Sequence, residues 1–362
     1  MNDLFSAWNW HGTVASFTPY GEGHINQTYV VKMLTAAGIK RYILQRINID
    51  TFTDPDALME NICGITDYLR EKIRQNGGDE QRGTLHVCPT KDGKSYYRTT
   101  AGECWRVYDF VEHTICLQAV RSPEDFRESA VAFGNFQRLL ADYPAHTLHE
   151  TIPHFHDTPK RLADFERAVQ TDVMGRAAQA EREIAFVLQR REDCHYMTDL
   201  QAHGRLPLHV THNDTKLNNV LMDETTGKGL CVIDLDTVMP GLVANDYGDS
   251  IRFGANNCAE DEPDTTKVHF SLPLYEVYTR SFLQTVGDAL TPLEKQTLPW
   301  GAKLMTLECG MRFLADYLEG DHYFHISRPQ QNLDRARTQF KLVADMEDNW
   351  DAMQKVIAET DP

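Results

Sequence analysis

The spacing of apolar positions changes near Val111. Before it, the pattern is that of strands. Gln27 to Leu34 (QTYVVKML) and Arg41 to Ile47 (RYILQRI) are rich in β-branched and aromatic side chains, which suit a pleated, half-buried surface. Thr35-Ala36-Ala37-Gly38 between them predicts a hairpin connection. Residues 14–19, 94–99 and 104–111 predict further strands. Asp54-Pro55-Asp56 opens an amphipathic helix whose apolar face is Leu58, Ile62, Ile65 and Leu69, at helical spacing.

After Val111 the helical period takes over. Ser122-Pro123-Glu124-Asp125 places a capping hydroxyl, a proline at the first helical position and acids in the first turn. Phe126, Ala130, Phe133, Phe136 and Leu140 then recur on one face. Further helices are predicted over residues 159–169, 176–191, 273–286, 292–320 and 332–358, with short strands at 208–211 and 230–233. The expected fold class is α+β: a β-rich N-lobe, residues 1–112, and a mainly helical C-lobe, residues 113–362, joined near Asp109 to His113.

Composition narrows the function. The chain has 362 residues, long enough for two lobes, and 41% hydrophobic with 25% charged residues is ordinary for a soluble protein. The net charge is −17 and no Lys/Arg cluster stands out, which argues against nucleic acid or an anionic membrane as partner. The first residues, MNDLFSAWNWHG, lack the basic and apolar regions of a secretory signal, and no apolar run reaches membrane-spanning length. The eight cysteines are scattered without a C-x-x-C pair, so the expectation is free thiols in a reducing cytoplasm rather than a disulfide framework or zinc site. Nothing in the sequence sets an oligomeric state.

The chemistry concentrates in three places. An apolar strand, Leu208-His209-Val210-Thr211, runs into His212-Asn213-Asp214-Thr215-Lys216-Leu217-Asn218-Asn219, an H-x-D-x-x-x-x-N pattern. Phosphoryl transfer needs a carboxylate near the attacking hydroxyl and oxygen ligands for magnesium, and Asp214 and Asn219 on one loop can supply both. A second strand, Cys231-Val232-Ile233, delivers Asp234, a carboxylate suited to a hard cation. Near the N-terminus, Gly21-Glu22-Gly23-His24-Ile25-Asn26 is either a plain hairpin turn or a loop that lays backbone N–H groups over nucleotide phosphates.

The loop pattern, with Asp236, Gly241 and Asp246 at two, seven and twelve residues after Asp234, resembles the aminoglycoside phosphotransferase and choline kinase superfamily. That resemblance implies a two-lobed protein-kinase-like fold, ATP as phosphoryl donor and Mg2+ as cofactor. It implies Asp214 as the catalytic carboxylate, and Asn219 and Asp234 as metal ligands. His212 is expected to brace the loop, Asp246 to order the region below it, and Asp236 to add a further contact near the metal. Gly21 and Gly23 are expected over the phosphates, and Asp109 to Val111 at the adenine through backbone groups. The lysine that such folds carry on the third strand is missing from Tyr42-Ile43-Leu44-Gln45-Arg46, so Gln45 or Arg46 is expected in its place. Glu60 is the candidate helix partner.

Several segments resemble more closely the bacterial N-acetylhexosamine 1-kinases: YGEGHINQTY from Tyr20, YILQRIN from Tyr42, IPHFHDTP from Ile152, THNDTKLNNVLMD from Thr211, DYGDSIRFG from Asp246 and ECGMRFLADYLEGD from Glu308. The resemblance implies phosphorylation of the anomeric hydroxyl of N-acetylglucosamine or N-acetylgalactosamine, with His24, Asp249, Arg312 and Tyr323 near the sugar beside Asp214. Two other readings stay open: a kinase of another small acceptor such as choline, homoserine or an aminoglycoside, and an inactive kinase-like nucleotide-binding module.

Overall fold

The computed structural model describes residues 2–21 and 25–360. Gly23 and His24, expected over the phosphates and near the sugar, lie outside the described residues.

The chain begins with α1 (Asn2–Ser6), β1 (Thr13–Pro19), β2 (Gln27–Thr35), β3 (Gly38–Ile47), α2 (Pro55–Gln75), β4 (Tyr97–Arg98), β5 (Cys104–Asp109) and β6 (Thr114–Cys116). It continues through α3 (Pro123–Leu139), α4 (Thr158–Thr171), α5 (Glu181–Leu188), α6 (Tyr196–Ala202), β7 (His209–Thr211), β8 (Val220–Asp223), β9 (Gly229–Val232) and β10 (Met239–Gly241). It ends with α7 (Val243–Gly254), α8 (Leu272–Val286), α9 (Pro292–Glu319), α10 (Gln331–Asp348) and α11 (Trp350–Thr360).

Two compact units result. The first gathers Met1–Cys116, Asp142–Pro153 and Val220–Pro240; the second gathers the remaining three segments. A single cut after residue 112 therefore does not describe them: the strands that deliver Asp234 group with the N-terminal residues.

In the first unit, five antiparallel strands run in the order β1-β2-β3-β5-β4. The pairing of β3 with β5 sets Gln45 opposite Arg106 and Tyr42 opposite Asp109. Val31, Met33, Tyr42, Leu44, Trp105 and Val107 cover one face together with Leu4 and Trp8. Asp54 caps α2 by accepting the Ala57 N–H, and Leu58, Ile62, Ile65 and Leu69 are all buried as expected. The strand expected over 94–99 shrinks to Tyr97–Arg98, because Thr90 holds Lys94 in a turn through reciprocal backbone and hydroxyl bonds.

The second unit is a helical assembly whose core includes Phe126, Phe165, Tyr247, Tyr275, Phe282, Leu307, Leu314 and Val343. Ser122 caps α3 as expected. Two helix expectations are corrected. Residues 176–191 give only the short α5, because Arg176 is pulled into a turn: its N–H donates to Asp172, and its guanidinium bonds the Tyr317 carbonyl and pairs with Asp321. Residues 332–358 break at Asn349, whose side-chain amide donates to the Asp345 carbonyl at 2.7 Å and competes with continuation of the helix. The helix α7 was not anticipated. It crosses α9 at backbone contact: a Cβ on Gly248 would meet the Gly301 carbonyl oxygen at 2.2 Å, and one on Gly301 would meet the Ala244 carbonyl oxygen at 2.0 Å.

Among the described residues, no helix is long and apolar enough to cross a membrane.

Candidate active site

Strand β7 ends in the loop that carries Asp214, and α7 holds that loop from beneath. The Asp246 carboxylate accepts the N–H of Asn213 at 2.7 Å, the N–H of His212 at 2.8 Å and the Gln137 side-chain amide at 2.8 Å. The Thr215 hydroxyl donates to the Asp246 carbonyl, and the Ser250 hydroxyl donates to the Thr215 carbonyl. Burial pushes the Asp246 carboxyl above its ordinary value, with His212 and the two loop N–H groups opposing. The His212 ring packs edge-on against Phe133 and Phe136, and its Nδ1 accepts the Asp214 N–H at 3.3 Å. Asn213 adopts φ 64°, a left-handed conformation that a non-glycine residue holds only when its surroundings fix it.

The Asp214 side chain has two partners. Lys216 Nζ lies 2.7 Å from its Oδ1, and the Asn219 amide donates to its Oδ2 at 2.9 Å and to its backbone carbonyl at 2.8 Å. Burial works to raise the Asp214 pKa, but Lys216, His212 and Asn219 outweigh it and hold the carboxyl below its ordinary value. Lys216 is itself raised: Asp214 and Asp249 outweigh the cost of its burial. The Asn219 amide nitrogen is committed to Asp214, so the orientation of its oxygen is set, and an amide oxygen is a hard donor.

Lys216 belongs to the motif that located Asp214, yet sequence reasoning gave it no role. The signal was present: a cation two residues from the key carboxylate.

Other residues of the second unit expected near a sugar are placed as follows. Asp249 on α7 accepts from Arg252 through Oδ1 at 2.9 Å, while its buried Oδ2 has no hydrogen-bond partner among the described residues. Arg312 on α9 makes no ion pair among the described residues; its guanidinium lies 5.4 to 6.0 Å from the ring centroids of Phe324, Tyr323 and Phe155. Burial works to raise the Glu308 carboxyl, one turn away on the same helix, and the Arg312 charge helps hold it below its ordinary value. Tyr323 is 70% exposed, so it is not a packing residue of the core. Arg161 was missed. Burial first and the Arg312 charge second depress its pKa, and its Nε is buried with no hydrogen-bond partner among the described residues. No motif marks Arg161; only the packing of α4 against α9 reveals it. Two open concavities of the second unit, one lined by Arg176, Gln179 and Tyr317 and the other by Arg182, Phe186 and Phe340, contain none of the expected residues.

In the first unit, Asp234 follows β9 at φ 61°, again left-handed. Asp236 forms an ion pair with Arg106, NH1 to Oδ1 at 2.6 Å, and accepts from the Asn26 amide. Alternation along β3 separates the two residues expected to replace the lysine. Gln45 donates to Thr28 and accepts from Arg106, whereas Arg46 pairs with Glu103 at 3.1 Å. Glu60, the candidate helix partner, instead meets His149 at 2.6 Å on the surface; from α2 it is Met59 whose sulfur lies 3.9 Å from Arg106 NH1.

Asp109 ends β5 with its N–H donating to the His86 carbonyl, its carboxylate 2.6 Å from His86 Nδ1 and 3.1 Å from Lys40 Nζ. Val111 is buried. Gly21 has φ 79°, which a side chain would strain.

Comparison with known proteins bears on this arrangement. The chain is similar in structure to a microcompartment-associated aminopropanol kinase, with a TM-score of 0.59, 15% identity and 97% of each chain covered. It is similar to a spectinomycin phosphotransferase in complex with ADP and spectinomycin, with a TM-score of 0.57, 10% identity, and 96% of this chain and 97% of that one covered. Choline kinase from Cryptosporidium parvum Iowa II gives a TM-score of 0.56 at 13% identity, with 95% of this chain and 92% of that one covered. Identities of this size establish the fold, the two-lobed α+β architecture, and not the acceptor. The model of the phosphotransferase enzyme family (APH) matches residues 16–278, a span that includes β2, β3, the Asp214 loop, Asp234 and α7. The chain belongs to the phosphotransferase enzyme family.

Proposed function

We propose that the protein transfers the γ-phosphoryl group of ATP to the anomeric hydroxyl of an N-acetylhexosamine, giving the sugar 1-phosphate and ADP. The observation that carries the reading is the Asp214 loop: a carboxylate held ionised, flanked by Lys216 and Asn219, on backbone locked by Asp246.

In this reading the anomeric oxygen attacks the γ-phosphorus as the bond to the β–γ bridging oxygen breaks, and ADP leaves. The hydroxyl proton passes to Asp214. Transfer of this kind involves little covalent chemistry for the protein, so positioning and charge stabilisation carry the rate. Lys216 keeps Asp214 ionised and oriented, and it offers a positive charge beside the attacking oxygen. Asp234 and Asn219 are assigned as the residues that would hold magnesium; both present hard oxygen donors. Magnesium, when bound, neutralises the charge on the β- and γ-phosphate oxygens.

The sugar assignment rests on the resemblance of six segments to N-acetylhexosamine 1-kinases and on the polar groups left available in the second unit. Asp249 Oδ2 has no hydrogen-bond partner among the described residues and can accept from a sugar hydroxyl. Arg312 and Arg161 retain donors, and Tyr323 offers an exposed aromatic face. Gly21 and the backbone of Asp109 to Val111 are assigned to the nucleotide.

A second reading is a kinase of a different small alcohol, favoured by the likeness in fold to an aminopropanol kinase and a choline kinase. The two positive charges of Arg161 and Arg312, which act on each other, disfavour a cationic acceptor. ADP release measured against N-acetylglucosamine, N-acetylgalactosamine, choline, ethanolamine, aminopropanol and aminoglycosides separates the two. Turnover confined to the amino alcohols would remove the hexosamine reading. Nucleotide binding with no turnover on any acceptor would bring the inactive module forward.

A further inference from the structure

Kinase-like folds commonly place a lysine on the third strand, and this chain has Gln45 there. The charge is nevertheless present, one strand away. Arg106 on β5 stands directly opposite Gln45 in the β3–β5 register. Its side chain is 1% exposed. Its Nε and NH2 donate to Gln45 Oε1 at 3.0 and 2.8 Å, and its NH1 forms an ion pair with Asp236 Oδ1, 2.6 Å away.

The network extends at both ends. Gln45 Nε2 donates to Thr28 Oγ1 at 3.0 Å, so the glutamine amide is fixed in one orientation. The Asn26 amide donates to the other Asp236 oxygen, and its Oδ1 accepts the Asn48 N–H at 2.9 Å. Asp236 is two residues from Asp234, whose left-handed backbone must be held from outside. Burial alone would lower the Arg106 pKa, but Asp236, and Asp234 more weakly, raise it, so the guanidinium is charged.

A buried ion pair is a poor device for stability, since a well-packed apolar pair often does as well. Its use here is positional. We infer that Arg106 is a positioning residue that supplies from β5 the cation missing from β3, clamping Asp236 and thereby the turn that presents Asp234 to magnesium and nucleotide. The inference rests on the kinase reading but not on the hexosamine acceptor.

The test transfers the charge between the paired positions. Calorimetry of ADP with and without Mg2+, in the absence of any acceptor, is run on wild type, Arg106→Gln, Arg106→Lys and the double variant Gln45→Lys/Arg106→Gln, with a thermal melt on each. Loss of a group that orients a metal ligand weakens metal-dependent binding by about 10- to 100-fold. Arg106→Gln is expected to fall by that factor, Arg106→Lys to retain most of the affinity, and the double variant to regain it. Arg106→Gln binding Mg-ADP like wild type overturns the proposal. So does a double variant as weak, or as unfolded, as the single one, because the charge is then not portable. A wild type without magnesium-dependent ADP affinity overturns the kinase reading as well. A wild type that binds Mg-ADP but phosphorylates no hexosamine overturns only the acceptor assignment and leaves the comparison of variants intact.

Discussion

Lys216 Nζ lies 2.7 Å from Asp214 Oδ1, and the two groups shift each other: the lysine is raised and the carboxyl lowered. In the proposed reaction the carboxylate beside the acceptor hydroxyl must be ionised and held in one rotamer, and Lys216 is placed to do both. Lys216→Met is expected to lower kcat by about 100-fold, the scale for losing one oriented charge at a phosphoryl or acyl centre. Steady-state kinetics at saturating ATP check it. An unchanged kcat would mean that the ion pair serves only the resting enzyme.

Acidification reads the same pair through stability. The Asp214 carboxyl titrates below its ordinary value, since Lys216, His212 and Asn219 outweigh the burial that would raise it. A lowered folded-state pKa favours the folded protein above the unfolded value of about 3.9, and that contribution disappears as pH falls through the folded pKa. Urea melts at about pH 5, pH 4 and pH 3 should therefore show wild type losing more stability than Asp214→Asn. Parallel losses in the two proteins would contradict the assignment.

The Asp246 carboxylate makes three acceptor contacts, two of them to loop N–H groups, those of His212 and of the left-handed Asn213 itself, and the third to Gln137. Asp246→Asn turns one acceptor toward a donor and is expected to cost about 2–3 kcal/mol, the range for a charged buried hydrogen bond. Denaturant unfolding measures this, and kcat should fall alongside because Asp214 rides on the same backbone. A full-activity variant of wild-type stability would show the loop to be held by other contacts.

The crossing of α7 and α9 tolerates no side chain at its closest point. Gly301→Ala would bring a Cβ to 2.0 Å from the Ala244 carbonyl oxygen, so the helices must separate. The expected loss is about 1–3 kcal/mol or more, read by thermal unfolding. Activity should fall too, because Asp246 and Asp249 both stand on α7.

How much of this was legible in the sequence follows from how local each feature is. The Asp214 loop is contiguous, so His212, Asp214 and Asn219 could be read from one stretch, and Ser122 and Asp54 announced their helices by capping chemistry. The helix α7 was hidden by its glycines and acids, which weaken local propensity; Gly248 is there for contact with Gly301, a partner more than fifty residues away. The cation for the nucleotide side was invisible for a similar reason. Arg106 faces Gln45 only through a strand register, and no spacing along the chain connects them. Arg46, one residue from Gln45 and the other expected substitute, would keep the charge, but alternation turns it to Glu103.

The most direct measurement is the phosphorus NMR spectrum of the product formed from ATP-Mg and N-acetylglucosamine or N-acetylgalactosamine. Anomeric phosphorylation predicts a single phosphomonoester signal coupled to the anomeric proton, absent from the Asp214→Asn reaction. A phosphate on another carbon, or a product formed only from a different alcohol, would contradict the hexosamine 1-kinase assignment.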